Sequence, residues 1–303
     1  MTDNFDVAAV IATRNRVDPL QRCLAALAGQ TVHPTAVYVI DNASTDGTAE
    51  FLTNVGSGIQ YRYSAHNTGS AGGFKEALEW AYEAGHGWLW VTDDDSLPQE
   101  DALEQLLLCA TRSSDILAAA PKKLTPEGRL WCAEMIYDRK RRVARAPSRE
   151  LYERNEPFEC DWTANTGLLL RREAIALGGF PLADLFAFGE DTEYCLRLRR
   201  HGRLIISPCA VVVHRDPSLA WPVPVSLLWR KYYVQRNTIY LSSRRLVMPA
   251  RGVLLVLLSM IREAVVILRK LNAKRVRLRT LIAATYHGLI GRLGPAPSWL
   301  ARP

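Results

Sequence analysis

The chain has 303 residues, 48% hydrophobic and 23% charged; this fits one folded core with at most a small appendage and, with no repeat or low-complexity run, excludes disordered, fibrous and solenoid classes. Lys and Arg outnumber Asp and Glu by 38 to 31, giving +7. The excess is uneven: from Arg230 to Arg302 fifteen Lys or Arg accompany a single acid, Glu263, so an acidic catalytic half and a basic tail facing an anionic partner are expected.

In chain order, Val7–Thr13 is an apolar run without helical periodicity that ends in the polar turn Arg14-Asn15-Arg16. Residues 19–28 place Leu20, Leu24 and Leu27 on one helical face, and residues 36–40 form a second apolar run that ends at Asp41 and the turn-rich stretch 42–47. Ile59–Tyr63 reads as a third strand, 71–84 as a helix, 88–92 as a fourth strand and 99–111 as another helix. Residues 129–145 suggest a hairpin with a basic loop at 138–142; 161–170 reads as loop then strand, and 190–201 as an amphipathic helix with Cys195 and Leu198 inside. Short strands are expected at 204–207 and 210–213, then three helices from Leu227 with boundaries near Met248-Pro249 and Leu271-Asn272. Strands alternating with helices predict an α/β fold, a Rossmann-like, doubly wound, mostly parallel sheet with a C-terminal helical subdomain.

The six cysteines have no paired spacing; most fall in apolar stretches and read as buried thiols in a reducing compartment. The N-terminal residues lack the basic start and apolar core of a signal peptide. The most apolar later run, residues 253–268, is interrupted by Arg262 and Glu263 and is shorter than the ~20 apolar residues that spanning requires. A cytoplasmic protein is expected, with a peripheral place on the inner face of the plasma membrane left open.

In a parallel sheet ligands bind at the carboxyl ends of strands. Those ends carry Thr13-Arg14-Asn15, Asp41 and Asp93-Asp94-Asp95, so three polar clusters converge on one edge. Three adjacent carboxylates repel unless something positive neutralises them, and hard divalent ions such as Mg or Mn prefer carboxylate oxygen. Alternation along extended chain lets Asp93 and Asp95 share a metal while Asp94 turns elsewhere; the bland reading is a solvated acidic turn. The glycine-rich stretch 67–74, Asn67 to Phe74, brings backbone amides at a helix start within reach of an anion, and it lacks the closing Gly-Lys-Ser/Thr of a P-loop. Gly189-Glu190-Asp191 opens the helix at 190, where Asp191 can either cap the helix or deprotonate an acceptor hydroxyl. Glu190 and Glu193 read as orienting or surface groups, and His214 closes the last strand.

The order TRNR, VIDNASTDGT, NTGSAGGF, DDD, WTANTG, GEDTEYCLR and HRD resembles glycosyltransferase family 2, the inverting GT-A type, and within it the bacterial galactofuranosyl- and rhamnosyltransferase branch, over residues 6–245. The resemblance implies that Thr13, Arg14 and Asp41 hold the nucleotide base, that Asn67 faces the nucleotide sugar, and that Asp94 also serves the donor. It implies a divalent Mn or Mg on Asp93 and Asp95 with His214 as a further ligand, Asp191 as base, and Trp162, Asn165 and Glu190 near the acceptor. The implied reaction moves galactofuranose or rhamnose from UDP or dTDP onto a lipid-linked saccharide or glycan in bacterial cell-envelope synthesis. Residues 1–225 would be the catalytic domain (donor half 1–115, acceptor half 116–225) and 226–303 a basic helical subdomain. Tyr232 to Asn237 also resembles a stretch after the core in this branch, whereas the Gln-x-x-Arg-Trp of processive relatives is absent. A nucleotidyltransferase and an inactive binding protein are the alternatives. For the tail, an anionic membrane, a solvated face and an oligomer contact remain open, and no nucleic-acid motif accompanies the charge.

Overall fold

A computed structural model describes residues 5–56, 58–138, 143–214, 222–244 and 250–300, with the backbone alone for 250–255 and 257. In chain order the elements are β1 (Val7–Thr13), α1 (Val17–Ala28), β2 (Ala36–Asp41), α2 (Thr48–Asn54), β3 (Ile59–Tyr63), α3 (Gly69–Glu83), β4 (Trp88–Asp93), β5 (Leu97–Pro98), α4 (Ala102–Ala110) and β6 (Ile116–Leu124). There follow β7 (Ile136–Asp138), β8 (Val143–Arg145), α5 (Arg149–Glu153), β9 (Phe158–Glu159), β10 (Leu168–Arg171), α6 (Arg172–Gly178), α7 (Glu190–Leu198) and β11 (Arg203–Val213). Three helices close the chain: α8 (Leu228–Ser243), α9 (Ala250–Lys270) and α10 (Lys274–Ile290). They group into two compact units, Met1–Asn67 with Gly73–Pro181 and Tyr194–Asp216, and Thr68–Gly72 with Leu182–Glu193 and Pro217–Pro303.

The first unit is a mixed, mostly parallel sheet in the order β3-β2-β1-β4-β10-β6-β11-β5, with β9 paired to β11. β1, β2, β3 and β4 are parallel, and β10 runs antiparallel between β4 and β6. Both faces are covered, so side chains alternate between two cores. Ala8 and Val10 of β1 join Leu89 and Val91 of β4 and Phe74 and Leu78 of α3. Val7, Ala9 and Ile11 join Trp90 with Leu20 and Leu24 of α1 and Leu103 and Leu106 of α4.

Several expectations need correction. The helix expected from residue 99 starts at Ala102, because Leu97-Pro98 pairs with β11 and the Gln99 amide donates to the Val211 carbonyl. The two strands expected at 204–207 and 210–213 are one, β11, with a register shift between Ser207 and Val211 where Pro208 has no N–H to give. The hairpin is confined to β7 and β8, because Leu130 bridges Leu124 instead; residues 139–142 of its loop lie outside the described residues, as do Arg215, Asp216 and the Met248-Pro249 boundary. Among the described residues all six cysteines are free, four of them buried, with Cys209 exposed. No helix of the described residues is long and apolar enough to cross a membrane.

In the second unit α8 and α10 pack around Leu228, Tyr232, Tyr233 and Ala284. Gly288 makes the approach possible, since a Cβ there would lie 2.6 Å from the Arg236 carbonyl oxygen. Polar side chains tie the pair: the Tyr232 hydroxyl lies 2.7 Å from His287 Nδ1, and Gln235 Nε2 donates to the Leu281 carbonyl at 3.0 Å.

A buried polar network anchors β6. Lys123 and Glu134 are both fully buried, their Nζ and Oε1 2.7 Å apart, while Nζ also donates to Thr163 and the Tyr152 hydroxyl donates to Glu134 Oε2 at 2.6 Å. Removing one partner strands the other charge in the core. Lys123→Met is therefore expected to cost about 3–5 kcal/mol in urea unfolding, and Lys123→Met with Glu134→Gln less than that; equal losses in the two variants would show that the pairing contributes nothing.

Candidate active site

The strand order reverses between β1 and β4, the position where doubly wound sheets take ligands. Thr13 pairs with Asp41 and Ala12 with Asp93, so the carboxyl ends of β1, β2 and β4 present their polar residues side by side. The three aspartates then diverge. Asp94 is buried, accepting from the Thr13 hydroxyl at 2.8 Å and facing Arg16 Nε at 2.9 Å. Asp95 meets the other arm of Arg16 through Oδ2, while its Oδ1 lies 2.9 Å from His214 Nε2. Asp93 Oδ2 lies 3.7 Å from the same nitrogen and accepts from the Thr166 hydroxyl. The His214 ring stacks on Trp131, centroids 5.0 Å apart, and its backbone amide donates to the Leu124 carbonyl.

Burial pushes the Asp94 carboxyl up to about 7, against the pull of Arg16 and Thr13. Burial also acts to raise Asp95, but the His214 contact and the Arg16 charge outweigh it and hold that carboxyl below the usual range. Arg16 loses by burial and gains more from its aspartates, so its guanidinium is held charged.

No three His, Cys, Asp or Glu side chains among the described residues stand as a finished metal-ligand set. The donors nevertheless fit a hard divalent ion. Three carboxylates against one guanidinium leave about two negative charges when all are ionised, the complement of one such ion. Neighbouring donors on an octahedral Mg or Mn lie about 3 Å apart; the His214–Asp95 separation of 2.9 Å already matches, and the Asp93 oxygen at 3.7 Å needs only a small side-chain rotation.

Around this edge, Asp41 is fully buried; its Oδ1 accepts from the Ser44 amide at 2.9 Å, and among the described residues Oδ2 meets no donor. Asn15 takes a left-handed conformation (φ 53°), with its amide donating to Ser44 and its side-chain oxygen accepting from the Thr45 amide. That turn aims Arg16 at the acids and leaves Arg14 half-buried beside it. Asn67 is half-buried. Trp162 packs against the core and exchanges backbone hydrogen bonds with Met135, and Asn165 is buried one residue before the Thr166 that holds Asp93.

Glu190 and Asp191 belong to the second unit, at the first turn of α7. Glu190 and Glu193 are buried rather than surface groups, because Ser70 donates to Glu190 at 2.8 Å and Glu193 lies inside the first turn. Asp191 Oδ1 accepts from the Thr192 amide at 2.6 Å. The preceding loop is strained: Phe186 (φ 64°, ψ −56°) and Phe188 (φ 64°) sit where bulky residues rarely go. One amide holds it. Asn237 Nδ2 donates to the carbonyls of Leu185, Ala187 and Phe188 at 3.0, 2.8 and 2.6 Å, and Arg236, its charge opposed by burial, donates to Leu185. The glycine-rich stretch braces the same loop, since the Ala71 amide donates to the Phe186 carbonyl and a Cβ on Gly69 would lie 2.0 Å from that oxygen.

Arg16, Thr166, Trp131 and Asn237 are the contributors that residue spacing misses. The second Arg of TRNR and the second Thr of WTANTG were in plain view, but only the folded turn and loop aim them at the acids.

The family model "Glycosyl transferase family 2" matches residues 8–175, more than half of the chain. The chain is thus a glycosyltransferase, and it belongs to glycosyl transferase family 2. It is 27% identical over 222 residues to galactofuranosyltransferase GlfT1 of Mycolicibacterium smegmatis (72% of each chain) and 30% identical over 201 residues to GlfT1 of Mycobacterium tuberculosis (65% of each). It is 29% identical over 249 residues to the N-acetylglucosaminyl-diphospho-decaprenol L-rhamnosyltransferase of M. tuberculosis, covering 72% of this chain and 80% of that one. In fold it is similar to S. aureus TarS 1-349 (TM-score 0.56, 16% identity, 95% of this chain and 82% of that). It is also similar to GalNAc-T7 solved with UDP, GalNAc and Mn2+ (TM-score 0.56, 15% identity, 81% of this chain and about half of that). These neighbours give the expected GT-A fold, and the family assignment answers the nucleotidyltransferase alternative.

Replacing Asn237 by Leu keeps the bulk and removes the amide shared by three carbonyls. Amide exchange across residues 185–190 is expected to speed up by about 5- to 150-fold, the equivalent of a lost buried partner worth about 1–3 kcal/mol. Exchange in α10 should stay slow; unchanged exchange at 185–190 would show that the clamp is idle.

Proposed function

We propose that the chain transfers a hexose, galactofuranose or rhamnose favoured, from UDP or dTDP to a lipid-linked saccharide or glycan acceptor of the bacterial cell envelope, inverting the anomeric centre. The observation that carries this reading is the meeting of Asp93, Asp95 and His214 at the switch point of the sheet. The likeness to enzymes named for galactofuranosyl and rhamnosyl transfer favours those sugars.

In this reading Asp93, Asp95 and His214 hold a divalent Mn or Mg, which when bound neutralises the charge building on the departing diphosphate. Asp94 and Arg16 keep the ligands aimed, and Thr166 fixes the rotamer of Asp93. Thr13, Arg14 and Asp41 receive the base, where the buried Asp41 Oδ2 has acceptor capacity to offer an imide N–H, and Asn67 faces the nucleotide sugar. Asp191 takes the proton of the acceptor hydroxyl as its oxygen attacks the anomeric carbon, with Glu190, Trp162 and Asn165 near the acceptor. Residues 1–225 make up the catalytic domain, and the basic helices of 226–303 keep the protein on the cytoplasmic face of the membrane, near a lipid-linked acceptor.

Asp93→Ala or Asp95→Ala should abolish transfer while thermal unfolding still shows a folded protein; full turnover in excess chelator would refute the metal role. Asp191→Asn keeps the shape but takes up no proton, so kcat should fall by about 10²–10⁴ with donor affinity nearly unchanged. A product that keeps the donor's anomeric configuration by NMR would rule out single displacement.

A further inference from the structure

The second unit carries a feature that the charge count does not contain. On α9, Leu258, Ile261, Val265 and Leu268 are 51, 62, 42 and 53% exposed. Their spacing of three, four and three residues puts them on one helical face. Arg262 and Arg269, both exposed, recur along the edge of that stripe, and Lys270 follows. α10 repeats the design along its outer face, with Arg275 and Arg279 toward its start and Ile282, Tyr286 and Leu289 toward its end, all exposed. A monomer with no use for such faces would cover them with polar side chains.

We propose that the outer faces of α9 and α10 form an interfacial anchor that buries its apolar stripes in the surface of an anionic bilayer. The proposal rests on the membrane-side reading above and gives it residues and a mode. Charge selects the occupant. The one acid of the tail, Glu263, lies 2.9 Å from Lys231, so no carboxylate stands among the exposed cations. A second copy docked through the same faces would bring Arg262 and Arg269 against their own like, whereas anionic headgroups complement them. With 21 residues α9 is long enough to span, but Arg262, Glu263, Arg269 and Lys270 fit it to lie in the interface plane instead. The tail cations are not equivalent: Arg277, which the charge pattern also assigns to this surface, is buried and donates to the Val223 and Asn272 carbonyls.

The test is flotation of the full chain with vesicles of phosphatidylcholine alone or with phosphatidylglycerol added. Binding is expected only where phosphatidylglycerol is present, and part of it should survive high salt, because burial of the apolar stripe is not screened. Ile261→Asp with Leu268→Asp should lower partitioning by about 100-fold, two large aliphatic side chains at roughly tenfold each. Arg262→Glu with Arg269→Glu should remove the salt-sensitive part. Both variants should keep the wild-type melting temperature and transfer to a short soluble acceptor. Wild-type failure in that soluble assay would refute the transferase reading without touching this one. Binding to neither vesicle type, binding unchanged in the Ile261→Asp/Leu268→Asp variant, or a dimer by light scattering that this variant splits would each overturn the anchor.

Discussion

Three carboxylates in sequence at the end of one strand are an unstable arrangement by themselves, and the edge of the sheet is organised around that repulsion. Arg16, reached through the left-handed turn at Asn15, pairs with two of the three; Thr13 takes a lone pair of Asp94, and Thr166 one of Asp93. His214 arrives from the end of β11 and is fixed by the Trp131 stack and the Leu124 carbonyl. Five separate segments therefore depend on one patch of negative charge, and neutralisation stops short of completion. With all three acids ionised about two negative charges remain, the complement of the divalent ion proposed above, and the protein-side contacts hold the donors in place for it.

A second constraint acts at the start of α7. Phe186 and Phe188 occupy backbone conformations that cost of order 1–3 kcal/mol each, and such strain persists only where neighbours over-determine it. Asn237 with its three carbonyls, Arg236 with Leu185, and the close pass of Gly69 supply that over-determination. The Tyr232–Asn237 stretch is thus a structural part of the loop that leads into Asp191, although about fifty residues separate them in the chain. The glycines of the 67–74 stretch have a packing reason of their own: Gly73 admits Ala12 of β1, where a Cβ would come within 2.7 Å.

Much of this edge is legible in the sequence because a strand buried on both faces is an unbroken apolar run, and the first polar residue after it marks the carboxyl end. Thr13, Asp41 and the Thr92-Asp93 pair announce themselves that way. β6 does not. Its Ile116-Leu117-Ala118-Ala119-Ala120 run is cut by Pro121 and followed by two lysines, and Lys123 is buried only because Thr163 and Glu134, itself held by Tyr152, converge on it from distant segments. α2, at seven residues, is too short for periodicity to register. Which arginine of Arg14-Asn15-Arg16 faces the acids is set by the sign of φ at Asn15, a three-dimensional fact with no trace in the spacing.

The tail shows the same limit from the other side. A charge count treats its cations as interchangeable, yet the fold sorts them by what surrounds the guanidinium or ammonium. Arg236 and Arg277 are buried and direct their donors at backbone carbonyls, so their role follows from hydrogen-bond geometry inside the fold. Lys231 is matched by Glu263. The exposed cations described on α9 and α10, Arg262, Arg269, Lys270, Lys274, Arg275 and Arg279, are a surface property, and those on α9 stand beside aliphatic side chains that are also outward. Charge and apolar area on one exposed helix face act on the same partner, the first drawing it from a Debye length away and the second holding it at contact. The reach of the first ends where the grip of the second begins, which is why neither the charge pattern nor the hydropathy of this tail is informative until both are placed on the same helix.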